Sequence, residues 1–249
     1  MVIPTWNEEP LIPALIQSLK RSPLVAEIIV ADNDSEDQTG ELAKQAGCVV
    51  VRGGRPGYGR NAGAAVACEP LILFLDADVV IGPEAIEHIA EKFSDTSVNL
   101  VTCALVPLSD KFIIRAFYWF LDLYLRICNG IGVNQGVGSV IAVRKSAFQR
   151  VQGFDEKILA GEDAYFIRQV GSLVGGVRYT RQLRVAVSAR RLELEPVLVF
   201  ALKTLMWGAL RLWGLRISIV PYRWVRYWQN PAQPGPEGQA AQEGPGPQP

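Results

Sequence analysis

The chain has 249 residues, 49% hydrophobic and 20% charged, with 25 Lys+Arg against 25 Asp+Glu. That length holds one α/β domain, or one domain with a small appendage, and needs no disulfides to build a core. A formal charge of zero excludes the basic excess of a general nucleic-acid binder, so no nucleic acid is expected as partner.

Met1-Val-Ile-Pro4 opens a first strand of about three residues, short against the usual five or six. The chain either begins inside that strand or carries a short one. No basic region followed by an apolar run precedes it, so no signal peptide is expected. Further on, apolar runs of four to seven residues predict strands over 27–31, 48–51, 71–75, 99–105 and 139–143. Mostly β-branched and bounded by Gly, Pro or Asp, they suit strands buried on both faces of a mainly parallel sheet. Helical patterns fall between them, over 8–20, 37–46, 59–67, 83–93, 111–127 and 162–173. This alternation predicts an α/β, doubly wound sheet flanked by helices. Ligands of such sheets sit beyond the carboxyl ends of the strands.

Three of those ends are polar: Pro4-Thr5-Trp6-Asn7-Glu8-Glu9, Asp32-Asn33-Asp34-Ser35-Glu36-Asp37 and Asp76-Ala77-Asp78. Helix capping alone accounts for Glu8, Glu9, Ser35 and Asp37. Asp76 and Asp78 resist that explanation. They follow a buried strand with no Lys or Arg within several residues, and burying unpaired carboxylates is costly. Alternation along an extended chain would point both to one side, where a divalent ion would relieve the cost. A single histidine, His88, and four cysteines (Cys48, Cys68, Cys103, Cys128) without CxxC spacing disfavour a soft-metal site. The same cysteines point to a reducing compartment.

The segment from Arg52 to Gly63 holds five glycines and three arginines, and a helix is expected from Gly59. Glycines permit close backbone approach, and arginines with free helix N–H groups suit a phosphate. The spacing is not that of a P-loop. Later, Gly161-Glu162-Asp163 opens a helix; capping is again the plain alternative.

In this order, the sets Pro4 to Glu8, Asp32 to Ser35, Gly59-Arg60-Asn61-Ala62-Gly63, Asp76-Ala77-Asp78, Val151-Gln152-Gly153-Phe154-Asp155-Glu156 and Gly161-Glu162-Asp163 resemble family 2 glycosyltransferases of GT-A fold, over about residues 1–190. The resemblance implies an inverting transfer from a nucleoside-diphosphate sugar, with UDP favoured, to a hydroxyl of a lipid-linked or small-molecule acceptor. It implies donor binding by Pro4, Thr5, Asn7, Glu8, Asp32, Asp34, Arg60, Asp76, Ala77 and Asp78. It also implies Mn2+ or Mg2+ on Asp78 and Asp76, with Gly136, Gly138 and Ser139 shaping the sugar and acceptor pocket. Asp163 matches the catalytic base, and Glu162 beside it caps its helix or orients the acceptor. The chain departs from processive synthases, whose QxxRW motif is missing around Arg190 and Arg191. Those two arginines either reach the diphosphate or lie on the surface. A nucleotidyltransferase would carry a Gly-rich loop where Pro4-Thr5-Trp6-Asn7 stands. A non-catalytic nucleotide-sugar-binding or membrane-recruiting module is a further alternative.

Residues 191–228 are apolar, aromatic and basic, with Lys203, Arg211, Arg223 and Arg226 among Trp and Tyr. Such a mixture predicts amphipathic helices on an anionic membrane, ahead of helices packed on the catalytic domain and of a true span over 196–214. The expected location is therefore cytoplasmic, peripheral on the inner face of a membrane. The aromatic helix over 112–127 either joins that face or belongs to the core. Residues 229–249 are too rich in Pro and Gly, and too poor in apolar groups, to offset ordering entropy. They read as a disordered tail.

Overall fold

The computed structural model describes residues 1–158, 161–190 and 192. The expected membrane-associating segment and tail lie outside the described residues, apart from Leu192, which is buried against Ile114 and Ala189.

The strands are β1 (Val2–Thr5), β2 (Ile29–Asp32), β3 (Val49–Arg52), β4 (Leu71–Leu75), β5 (Val79–Val80), β6 (Leu100–Leu108), β7 (Val140–Arg144) and β8 (Val177–Ser188). The helices are α1 (Ile12–Lys20), α2 (Thr39–Gln45), α3 (Pro56–Val66), α4 (Pro83–Lys92), α5 (Phe112–Gly130), α6 (Lys145–Arg150) and α7 (Glu162–Leu173). One sheet runs in the order β3-β2-β1-β4-β7-β6-β8-β5. Its first half, β3-β2-β1-β4, is parallel. Beyond it, β7 runs antiparallel to both β4 and β6, while β8 lies parallel to β6 and antiparallel to β5. The sheet is thus mixed, with its parallel half first in sequence.

Both faces are covered, as the continuous apolar runs require. Ile3, Val30, Leu73, Leu75 and Val101 pack with Ile12, Leu15, Ile16 and Leu19 of α1 and with Ile86 and Ile89 of α4. The opposite face, including Val2, Ile29, Phe74 and Ile141, packs with Ala64 of α3, Ala147 of α6 and Phe166, Ile167 and Val170 of α7.

The predicted boundaries shift where side chains have other work. Helix α1 starts at Ile12 rather than Glu8, because the N–H groups of Glu8 and Glu9 donate to Thr39 Oγ1 (2.8 Å) and Asp37 Oδ2 (3.1 Å). Helix α3 starts at Pro56, not Gly59, so most of the Gly-rich segment is helix. Its glycines serve packing. A Cβ on Gly63 would lie 2.3 Å from Val2 Cγ1, and one on Gly59 would lie 3.3 Å from Pro4 Cβ. The spacing of four residues puts both on the face that meets β1.

Parallel strands align the ends of β1, β2 and β4 on one edge of the sheet. The antiparallel β7 begins at that edge, so Gly136 to Ser139 arrive there too. Ser139 C=O accepts from Asp76 N–H (3.1 Å), and Asp78 C=O accepts from Ser188 N–H (3.0 Å). The turn after β4 is therefore pinned between the start of β7 and the end of β8.

Candidate active site

Arg60 of α3 is the hub of that edge. It is 3% exposed, and its guanidinium donates to Glu162 Oε1 (2.8 Å), Asp76 Oδ1 (2.9 Å) and Gly138 C=O (3.3 Å). The Phe154 ring lies beneath it, 5.4 Å from centroid to guanidinium carbon. Burial works against the Arg60 charge, but Asp76, Glu162 and Asp163 outweigh it and hold the proton more firmly than in water. Glu162 also shifts upward, which in a carboxylate disfavours the charged form. Burial and the neighbouring Asp163 raise its pKa, and Arg60 opposes the rise.

The Val151 to Glu156 motif builds the floor of this hub. Gln152 and Gly153 adopt positive φ (62° and 73°), which turns Phe154 inward. Phe154 stacks on Phe166 at 4.1 Å and meets Phe74 edge-on at 5.3 Å. Asn61, one residue after Arg60, clamps both backbone groups of Phe154 at 2.9 Å. The motif's apolar core thus locks the hub arginine in place.

Asp163 lies at the second position of α7, partly exposed. No hydrogen bond or ion pair engages its carboxylate among the described residues. Gly138 faces it closely: a Cβ there would lie 2.8 Å from Asp163 Oδ2 and 3.1 Å from Arg60 Nη2. Gly138→Ala is therefore expected to keep its fold and lose turnover by roughly 10–100-fold, because small displacements within a site are costly. Melting curves with initial rates on the same preparation check this. Gly136 plays a different part, packing behind the edge against Thr102 and Ile167.

A second cluster zips two loops together. Asp32 Oδ1 accepts from Thr5 Oγ1 (3.3 Å) and Ser35 Oγ (2.5 Å). Asn7, held at φ 52°, receives Glu36 N–H on its Oδ1 (2.8 Å) and donates its own N–H to Ser35 Oγ (2.9 Å). Capping, the plain expectation for Glu8, Glu9, Ser35 and Asp37, is mostly not what these groups do. Leu11 and Gln38 hold the N-cap positions of α1 and α2 without side-chain caps. Two come near it at the start of α2: Asp37 accepts from Thr39 N–H (2.9 Å) and Glu9 Oε2 from Gln38 N–H (3.0 Å).

Other expectations need correction. Asp76 is not unpaired, because Arg60 reaches it from sixteen residues away. The two aspartates do not alternate along an extended chain, since β4 ends at Leu75 and Val79 N–H returns to Asp76 C=O (3.3 Å) in a turn. Of the three arginines offered for phosphate, Arg60 is buried in its ion pairs and Arg52 pairs with Asp34 on the surface (3.0 Å). Arg55 alone has no partner among the described residues. Pro4 packs under α3, and Ala77 is buried. Arg190 is not a loose surface residue: its Nη2 lies 2.9 and 3.1 Å from the two Glu8 oxygens, while Arg191 lies outside the described residues.

The family model described as "Glycosyl transferase family 2" matches residues 1–151, more than half of the chain. The chain belongs to glycosyl transferase family 2. A curated relative, the 4,4'-diaponeurosporenoate glycosyltransferase of Staphylococcus haemolyticus, is 26% identical over 175 residues, covering 61% of this chain and 46% of its own. The chain thus spans under half the length of that relative. A mannosyltransferase from Pyrobaculum calidifontis, solved with GDP-Man and Mn2+, superposes with a TM-score of 0.60 at 16% identity, over 74% of this chain and 55% of its own. The glucosyl-3-phosphoglycerate synthase of Mycobacterium tuberculosis, solved with Mn2+, UDP and glucosyl-3-phosphoglycerate, gives 0.56 at 19% identity, over 75% and 69%. At such identities these two structures speak for the fold, the GT-A arrangement that the motifs imply.

The donor set of this family 2 member fits a hard divalent ion. Asp76 gives Oδ1 to Arg60 and keeps Oδ2 without a protein partner among the described residues. Asp78 stands two residues on in the same turn, partly exposed. No group of three or more His, Cys, Asp or Glu that could hold a metal occurs among the described residues. One or two carboxylates suffice for Mg2+ or Mn2+ when substrate phosphates supply other ligands.

Two features of the site escape a search for apolar runs and acidic motifs. One is the Arg190–Glu8 pair, whose members lie 182 residues apart. The other is β8, which delivers Arg190. Its sequence Val177-Arg-Tyr-Thr-Arg-Gln-Leu-Arg-Val-Ala-Val-Ser188 becomes a plain alternation only from Leu183 onward.

Proposed function

We propose that this chain is an inverting glycosyltransferase that uses a nucleoside-diphosphate sugar, with Asp163 as general base and a divalent ion on Asp76 and Asp78. One observation carries the choice of base. Arg60 holds Glu162 and Asp76 by direct ion pairs, and among the described residues no such pair occupies Asp163. Glu162 is 12% exposed and already gives an oxygen to a buried guanidinium, so an acceptor hydroxyl reaches its open neighbour more readily. Transfer is a single displacement. The acceptor oxygen bonds to the anomeric carbon, the bond from that carbon to the diphosphate oxygen breaks on the opposite face, and the hydroxyl proton passes to Asp163. A divalent ion at the turn supplies charge neutralisation for the departing diphosphate. Meanwhile the zipped loops around Thr5, Asn7 and Asp32 present a rigid nucleotide-side wall, and Arg190 braces Glu8 within it.

A peripheral place on the cytoplasmic face of a membrane belongs to the same reading. It is supported by α5, whose exposed residues include Phe112, Trp119, Phe120 and Ile127 together with Arg115 and Arg126. No described helix is long and apolar enough to cross a membrane.

Thermal unfolding against UDP-, GDP- and dTDP-sugars, with and without Mn2+, tests the donor and metal. A ligand at 100 times its dissociation constant should stabilise by about 2.7 kcal/mol. Asp78→Ala should abolish the Mn2+-dependent part. A chain that no nucleotide sugar stabilises, with or without the ion, would contradict the reading.

A further inference from the structure

Helix α5 leaves a groove along β6 and β8. The groove has a volume of about 670 Å3 and is walled by Val106, Pro107, Phe112, Trp119 and Phe120. That is within the range of about 300–1,000 Å3 usual for small-molecule sites. Phe112 is 83% exposed, Trp119 59% and Phe120 61%, so these walls lack the cover that apolar side chains of this size normally find. The polar lining is Arg115, Arg181, Arg184 and Asp122. Asp122 is committed to Arg181 (3.1 Å) and Tyr179 (2.8 Å). Arg115 and Arg184 have no carboxylate partner among the described residues. The groove therefore combines an aromatic trough with an uncompensated positive charge.

Its position ties it to the site above. Arg184 precedes Ser188 by four residues, roughly 13 Å of strand. Ser188 N–H is bonded to Asp78 C=O, and Val187 pairs with Val79. The strand that floors the groove thus ends on the turn assigned to metal and diphosphate. Resting on the glycosyltransferase reading, we propose that the acceptor is an amphipathic lipid, an apolar chain bearing an anionic group, and that this groove binds it. The apolar chain lies along Phe112, Trp119 and Phe120, and the anion meets Arg184 and Arg115, where burial beside apolar walls strengthens the charge pairing. The transfer step is unchanged: the lipid's hydroxyl oxygen bonds to the anomeric carbon, its proton goes to Asp163, and the nucleoside diphosphate departs.

Full-length protein titrated with decyl phosphate, kept below its micelle concentration, tests this by calorimetry. Decyl phosphate is expected to bind, inorganic phosphate at the same concentration is not, and Arg184→Gln and Trp119→Ala should each weaken binding at least tenfold. Nucleotide-sugar binding, measured on the same samples, should stay unchanged in both variants. Four results overturn the proposal: no binding of decyl phosphate, which would leave the chain's own C-terminal segment as occupant; equal binding by the variants; a dimer that Trp119→Ala dissociates; or binding to anionic vesicles without binding of the monomeric lipid. Loss of nucleotide-sugar binding in the unaltered protein would instead sink the glycosyltransferase reading and leave the lipid result standing.

Discussion

Asp163→Asn is expected to fold, to bind donor and Mn2+ normally, and to lose transfer by about 10²–10⁴-fold, the usual contribution of a positioned general base. Amide and carboxylate have nearly the same shape, so the contact with Gly138 survives and only the proton acceptor is lost. The comparison with Glu162→Gln makes the test sharp. That change weakens an ion pair with Arg60 at 2.8 Å, so it should lower stability while leaving more turnover than Asp163→Asn. Initial rates with the donor found in the thermal screen, together with melting curves, give both readings. Near-normal turnover in Asp163→Asn, or deeper loss in Glu162→Gln at equal stability, would move the base to Glu162.

Arg60→Leu is expected to cost about 3–5 kcal/mol of stability, because it strands a buried carboxylate. Glu162 is 12% exposed and Asp76 29%, so Glu162 bears most of the penalty. Replacing the partner as well should restore much of the loss, since an apolar pair of similar volume needs no desolvated charge. Arg60→Leu with Glu162→Leu should therefore be more stable than Arg60→Leu alone, though without activity. Arg60→Lys should fall between, as one ammonium cannot present two separately aimed nitrogens to Glu162 and Asp76. Urea unfolding measures all three. A cost for Arg60→Leu under about 1 kcal/mol, the size of an ordinary substitution, would show that the carboxylates find other partners and that Arg60 is not the hub.

Much of the fold was legible because its strands are buried on both sides. The runs at β2, β3, β4 and β7 stand within two residues of their predicted places, and α7 matches its predicted span, Glu162–Leu173. The N-terminal ends of α1 and α3 were less legible. There, Glu8 and Glu9 bond across to another loop, and glycines that resemble a phosphate cradle pack a helix onto β1. Strand β8 was hidden because its arginines at 178, 181 and 184 interrupt any apolar run. The mixed half of the sheet was illegible for a related reason, since strand direction depends on which strands pair and not on local pattern.

The sequence by itself determined the kind of protein: ordered acidic motifs after buried strands, a balanced charge, and a family that those motifs name. Periodicity and residue chemistry are local, so a linear reading captures them. Only the tertiary structure decided who holds whom. Arg60 meets Asp76 and Glu162 across 16 and 102 residues, and Arg190 meets Glu8 across 182. Ion pairs over such separations are set by how helices and strands pack, and packing chose which carboxylate is held and which is left open. The opening balance of 25 charges against 25 is resolved the same way. Neutrality is a sum, whereas the described fold places partly buried acids around Arg60 at one edge and arginines without a carboxylate partner along an aromatic groove at another.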